Sequence, residues 1–253
     1  MTITSSDIGT GRPGADDTVL DDTVLDDPVL DNPAWSALVG AHAHLAEGGD
    51  LARRYPADVS PFAAVRSWDD PGVWDAVIDL VGYGAEFPAP PESVALPPGW
   101  ERGEPFEGVQ LVETERLQGR PDDEAVVLGA ADVPEMLDLV ARAQPGPFLP
   151  RTYELGRYVG IRRDGHLAAM AGERLRPAGW TEISAVATDE RYRGQGLATR
   201  LVLDVVHHLH RRGARAMLHA SAGNTNAIRL YESLGFTLRR RMAFGSVRTP
   251  VSG

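Results

Sequence analysis

Arg191-Tyr192-Arg193-Gly194-Gln195-Gly196 is the stretch of this chain with the clearest chemistry. It lies between an apolar strand-like run, Ile183 to Thr188, and an amphipathic run, Leu197 to Arg211. A glycine-rich turn that opens a helix leaves several backbone N–H groups without internal partners. The helix dipole adds positive potential at the same spot, so such a turn suits a phosphate or pyrophosphate. Dinucleotide sites use G-x-G-x-x-G directly after a strand, with an acidic residue ending the next strand. Here the spacing is R-x-x-G-x-G and the next strand ends in His219-Ala220-Ser221, which lowers the case for a nicotinamide or flavin site.

Composition removes other chemistries. The chain has no cysteine, hence no disulfide, thiolate nucleophile or cysteine metal site; this fits a cytoplasmic protein. Its 25 basic residues are all arginine, which excludes a lysine phosphate loop or Schiff base. No metal is expected. The histidines at 42 and 44 and at 207, 208 and 210 lack a carboxylate at ligand spacing, and His207 and His208 diverge on a helix. A net charge of −11 argues against a nucleic-acid-binding face. No apolar run reaches membrane-spanning length, and no basic start with an apolar core marks a secretory signal.

The elements that must position the turn follow from the pattern. Residues 1–33 hold eight aspartates against one arginine and a tandem pentapeptide, Asp17 to Asp21, Asp22 to Asp26 and Asp27 to Asp31. Five-residue units match neither helix nor strand periodicity, so 1–33 is expected to be a disordered acidic tail, the alternative being a segment that binds a basic partner. A smaller N-terminal α/β lobe is expected over 34–120, with a helical run from Trp35 to Leu45 and a long loop from Phe87 to Pro105. From 121 to 253 the rhythm is β-α-β-β-β-α-β-α-β. Asp132 with Glu135 reads as a capping box, and Asp164-Gly165 as a hairpin turn. The fold class is α/β (α+β): a mixed, mostly antiparallel central sheet flanked by helices.

Val186 to Ala198 closely resembles the acyl-CoA-binding motif of the GNAT superfamily of N-acetyltransferases. Asn224-Thr225-Asn226-Ala227-Ile228-Arg229-Leu230-Tyr231-Glu232-Ser233-Leu234-Gly235-Phe236 resembles the second signature, N-x-x-A-x-x-L-Y-x-x-L-G-F. The resemblance covers about 124–250, its tighter part being similar to the glycine-N-acyltransferase-like branch, and 34–120 is read as a degenerate half of the same fold. It implies that Val186, Ala187 and Thr188 bond the pantetheine arm through their backbone. Amides of Gly194, Gln195, Gly196, Leu197, Ala198 and Thr199 would cradle the pyrophosphate, with Arg191 and Arg193 adding charge-assisted bonds. Asn224 and Asn226 would hold the carrier or the helix start, and Tyr231 would protonate the departing thiolate.

Direct attack by an amine on the thioester needs that amine neutral, so a base is expected. The candidates are Glu173, His219, Glu182 and Ser184. The loop Gln144 to Leu155 and the N-terminal lobe are expected on the acceptor side, with Phe148, Tyr153, Tyr158 and Trp180 as wall residues. The resemblance thus implies an acyl-CoA-dependent N-acetyltransferase, with acetyl-CoA as donor and a small-molecule or peptide amine as acceptor, acting as monomer or homodimer. Its rivals are a catalytically silent CoA-binding regulatory module and an interaction protein working through its acidic tail.

Overall fold

The computed structural model describes residues 25–252. In chain order the elements are helix α1 (Pro33–Val39) and the short strands β1 (Glu47–Gly48), β2 (Ala52–Arg54) and β3 (Ala63–Val65). Helix α2 (Val73–Val81) leads to β4 (Glu86–Pro88), β5 (Glu101–Arg102) and the long β6 (Phe106–Glu113). Then come β7 (Val126–Leu128), α3 (Val133–Ala143), β8 (Tyr158–Arg163), β9 (His166–Glu173) and β10 (Trp180–Thr188). The chain closes with α4 (Leu197–Arg211), β11 (Arg215–Ser221), α5 (Thr225–Leu234), β12 (Phe236–Phe244) and β13 (Ser246–Arg248).

Seven strands form the central sheet in the order β12-β6-β11-β10-β9-β8-β7. Every neighbouring pair is antiparallel except β10 and β11. Alternation along the strands gives the sheet two apolar faces. One packs on α4, whose Leu197, Leu201, Val205 and Leu209 recur every fourth residue and meet Ile161, Ala169, Ile183 and Leu218. Tyr231 of α5 joins the same cluster. The other face carries Val112, Trp180 and Met217, covered by Leu30, Leu38, Tyr55 and Val59, while α3 covers Met170, Ala185 and Ala187 nearby.

The structure corrects several expectations. The packed chain begins before Pro33: the third pentapeptide unit forms a 3-10 turn, Pro28–Asp31, and its Leu30 is fully buried. The first unit and most of the second lie outside the described residues. Residues 34–120 are not a self-contained lobe, because β6 is an inner strand of the main sheet. Nor do they repeat the C-terminal element order; their strands other than β6 are two or three residues long. The run from Trp35 to Leu45 breaks at Gly40 into α1 and a separate 3-10 turn, Ala43–Leu45. The expected loop 87–105 contains β5 and most of β4, and both pair with β13. Asp132 does not cap α3 with its side chain; it accepts from the Gly129 N–H one turn earlier, and Glu135 pairs with Arg162.

Candidate functional site

β10 and β11 pair over only three rungs, Trp180↔Arg215, Thr181↔Ala216 and Glu182↔Met217. Beyond Glu182 the two strands part. On its other side β10 carries a bulge against β9, the register skipping between Ser184 and Ala187. The bulge holds Ala185 at φ 52°, a left-handed conformation uncommon for a residue with a Cβ. A bulge sharpens twist, which turns Val186, Ala187 and Thr188 away from β11. Their β9 side remains paired, Ala187 to Met170 and Thr188 to Ala169, and their β11 side has no strand partner among the described residues. The Thr188 hydroxyl is buried and unpartnered. An extended polar arm could take the vacated rungs as a further strand would.

The split runs toward the glycine turn. Gly194 and Gly196 sit at φ 77° and 72°, and added Cβ atoms at both would meet open space. Among the described residues, no backbone N–H from Gly194 to Thr199 has a backbone acceptor; the first helical bond is Arg200 N–H to Gly196 C=O. Gly196 is the N-cap of α4 and brings no side chain to compete for these donors. The result is six consecutive amides in a left-handed turn at a positive helix end, fitted to a diphosphate. Arg193 is exposed, with no ion-pair partner among the described residues. Arg191 is committed elsewhere: its Nε and Nη2 donate to Asp189, which also accepts from Arg142 and the Arg191 N–H. Those hydrogen bonds, led by the Arg191 side chain, hold the Asp189 carboxyl well below the usual carboxylate range.

Beside the split a polar relay crosses the sheet. Arg239 donates to Gln110 Oε1 at 2.9 Å, so Gln110 Nε2 must be the amide donor; it reaches the Leu30 carbonyl at 2.9 Å and His219 Nε2 at 3.0 Å. That fixes the tautomer: His219 Nε2 accepts, and Nδ1–H donates to Glu182 Oε1 at 2.7 Å. Glu182 also takes two bonds from Arg174, whose guanidinium stacks on the Phe62 ring. Burial alone would raise the Glu182 pKa, but Arg174 and His219 outweigh it and hold the carboxylate ionised. Glu182 is therefore an ionised carboxylate already accepting three hydrogen bonds, which sets it to hold His219 rather than to take a proton.

Glu173 is also removed from that role. Its side chain lies on the α4 face, as its register partner Ile183 does, and makes a bidentate pair with Arg212 at 2.8 and 2.9 Å. The sheet separates it from His219. Ser184 stays half-buried at the bulge. Tyr231 is 9% exposed, with no hydrogen-bond partner for its hydroxyl among the described residues; burial pushes its pKa up to about 12. Asn224 caps α5 through the Ala227 N–H, and Asn226 is exposed on the first turn. Phe148, Tyr153 and Tyr158 gather beside Ala185 and Ala187, and the Tyr158 ring lies over Gly172 with a buried, unpartnered hydroxyl. Trp180 is not with them; its Nε1 donates to Asp27 under the N-terminal segment. Gln110, Arg174 and Arg239 escaped the sequence reading. A glutamine inside an apolar strand was the one available sign.

No helix among the described residues is long and apolar enough to cross a membrane. Residues 158–244 match the family model described as FR47-like protein. A solved structure from Novosphingobium aromaticivorans, assigned to the GNAT acetyltransferase family, is 38% identical and superposes with a TM-score of 0.79 over 89% of this chain and 100% of that one. The [ribosomal protein bS18]-alanine N-acetyltransferase of Escherichia coli is 32% identical over 122 residues, 45% of this chain and 82% of the relative. The mycothiol acetyltransferase of Thermobispora bispora is 37% identical over 149 residues, 53% of this chain. This chain spans half of that relative's length, 50%.

Proposed function

The chain belongs to the GNAT family of acetyltransferases, and from that premise we propose that it transfers an acetyl group from acetyl-CoA to a primary amine. The carrying observation is the row of free amides from Gly194 to Thr199 at the end of the split between β10 and β11. The amides would hold the pyrophosphate, with Arg193 beside them, and the open edge of Val186 to Thr188 would bond the pantetheine arm. The amine nitrogen forms the new C–N bond as the thioester C–S bond breaks. One proton leaves the nitrogen and one is taken up by the thiolate. His219, oriented by Glu182, is the group we assign to the first proton, once its Nε2 exchanges the hydrogen bond from Gln110 for one from the amine or a bridging water. Tyr231, kept neutral by burial, is assigned to the second. The tighter part of the matched region resembles the glycine-N-acyltransferase-like branch, and the absence of cysteine fits a cytoplasmic setting. Small-molecule and protein amines both stand as acceptor classes, as the names of the relatives illustrate.

Calorimetry with acetyl-CoA and a thiol-release assay over an amine panel test this reading. It predicts micromolar binding and turnover; absence of binding at millimolar acetyl-CoA overturns it. One observation favours a second reading, a CoA-binding module without turnover: Gln110 occupies the His219 lone pair. Binding without release of thiol across the panel would select it.

A further inference from the structure

The pentapeptide repeat plays no part in the acetyl transfer proposed above, yet its third unit occupies a well-defined seat. Asp27 accepts the Val29 N–H on Oδ1 and the Trp180 Nε1–H on Oδ2. Val29 packs at the edge of the apolar cluster that buries Leu30 completely, among Leu38, Tyr55 and Met217. The Leu30 carbonyl accepts from Gln110 Nε2 at 2.9 Å. Asp31 accepts from Arg239 and Arg240 at 2.8 and 2.9 Å, so one carboxylate meets two guanidinium groups. Pro28, the remaining member of the unit, is exposed.

The three units read Asp-Thr-Val-Leu-Asp, Asp-Thr-Val-Leu-Asp and Asp-Pro-Val-Leu-Asp. The four positions that touch the seat are identical in all three, and the one that differs is the one that faces solvent. Negative charge alone requires neither the valine nor the leucine. Leu25, the leucine of the second unit, already lies half-buried against the same cluster, and its carbonyl accepts from Arg239 Nε at 2.9 Å. A shift by one whole unit puts Leu25 in the seat, Leu20 where Leu25 was, and Asp22 and Asp26 at the two carboxylate positions. Residues 27–31 then leave as a loop before Asn32, whose side chain stays tied to the Val65 carbonyl and the Trp35 N–H. Asp31 is exposed, so that loop has solvent to enter, and the entropy of closing a loop grows only slowly with its length. Pro28 sets the preference among near-equals: it opens the 3-10 turn with its φ already fixed, an advantage that Thr23 lacks.

We propose that the face formed by Trp180, Gln110, Arg239 and Arg240 is a peptide-binding site whose ligand is Asp-x-Val-Leu-Asp, and that unit 22–26 of the same chain takes the seat when unit 27–31 leaves it. The repeat is a store of spare ligands for one site. Because the seated leucine's carbonyl holds Gln110, and Gln110 meets His219, any unit in the seat restores the same relay. That consequence for catalysis rests on the acetyltransferase reading above; the peptide site does not.

Exchange within the chain is tested by thermal midpoints of full-length variants. Thr23→Pro should leave the wild-type midpoint unchanged and raise that of Leu30→Ala, where the second unit has taken over. Leu20→Ser with Leu25→Ser should lower the midpoint at least twice as far in Leu30→Ala as in the wild type. Additive effects with no rise from Thr23→Pro overturn the exchange, and a rescue that grows with protein concentration overturns it in favour of a unit lent by a second copy. The site itself is tested by calorimetry with the blocked peptide Asp-Thr-Val-Leu-Asp on the chain with all three leucines changed to serine. It should bind at least ten-fold more tightly than Asp-Thr-Val-Ser-Asp; equal binding, or none, overturns the site. Should that chain lack a cooperative melt, the leucine peptide should still raise the midpoint of Leu30→Ala and the serine peptide should not, and no rise overturns the site. Thr23→Pro should also recover at least two-fold of the kcat lost in Leu30→Ala; a midpoint that recovers without kcat overturns the catalytic consequence alone. Failure of acetyl-CoA to bind overturns the acetyltransferase reading, and the midpoints and peptide titrations still decide the peptide site.

Discussion

At the scale of single residues, the proposed chemistry divides between a phenol kept neutral and an imidazole held in one tautomer. A phenol with its pKa raised to about 12 stays protonated across the working range, so the basic limb of kcat should lie above pH 10. A limb near pH 8 that vanishes in Tyr231→Phe would contradict this. The same variant should lose roughly ten- to a hundred-fold in kcat at constant acetyl-CoA affinity, and His219→Gln roughly a hundred-fold or more. His42 makes a different prediction. It is buried, bonded to the Tyr55 hydroxyl and the Leu155 carbonyl, and burial lowers its pKa from 6.5 to about 4. Its neutral form is bound by the fold, so its contribution is complete above pH 6.5 and is lost as pH falls toward 4. Unfolding free energy should drop by about 2 kcal/mol between pH 7 and pH 5 from this group alone. Urea titrations of His42→Gln should show a shallower slope over that interval; an unchanged slope rules the mechanism out. The place of Tyr231 on a helix was legible because the motif's spacing sits in register on it. Glu173 was misplaced for a definite reason: a carboxylate among apolar residues looks the same whether it faces a substrate or an arginine from another helix. Arg212 is 39 residues away in sequence, and no local pattern links the two.

At the scale of elements, the site depends on a disagreement between neighbouring strands. β10 is straight where it pairs with β11 and bent where it must not, and the bend is concentrated at Ala185. A left-handed alanine costs roughly 1–2 kcal/mol that a glycine would not. Ala185→Gly should therefore leave stability equal or higher by up to about 1 kcal/mol, offset in part by lost packing against the α3 cluster. Ala185→Val puts a β-branched side chain into the same conformation, and should lower the thermal midpoint and weaken acetyl-CoA together. Tolerance of valine in both measurements would mean the bulge does not hold the split open. Strands, helices and the hairpin at Asp164-Gly165 were readable because each follows local periodicity or turn chemistry; Asp164 and Gly165 both take positive φ. The bulge was not, since alanine carries no mark of a left-handed residue. The register of a parallel pair joined through a fifteen-residue helix is likewise fixed by packing alone.

At the scale of the whole molecule, segments at both ends of the described residues are fastened to the middle. Leu30 is buried against Leu38, Tyr55 and Met217, and its carbonyl steadies the Gln110 that steadies His219. Leu30→Ala should cost about 2–4 kcal/mol and reduce kcat as well, a double effect that a remote core cavity would not give. Composition had assigned this unit to a disordered tail, because three aspartate-rich repeats look alike until one of them meets Arg239, Arg240 and Trp180. The other end is tied more firmly still. β13 pairs with β4 on one side and β5 on the other, with Val247 fully buried between them. A nascent chain leaving the ribosome has β4 and β5 in hand for about 150 residues before their middle partner is made. Throughout that interval both edges are open to any passing strand, and the lobe that houses Trp68 cannot close. The N-terminal segment is therefore completed only once β13 has been made, and the yield of folded protein becomes a race between translation of β13 and capture of those two edges by a neighbour.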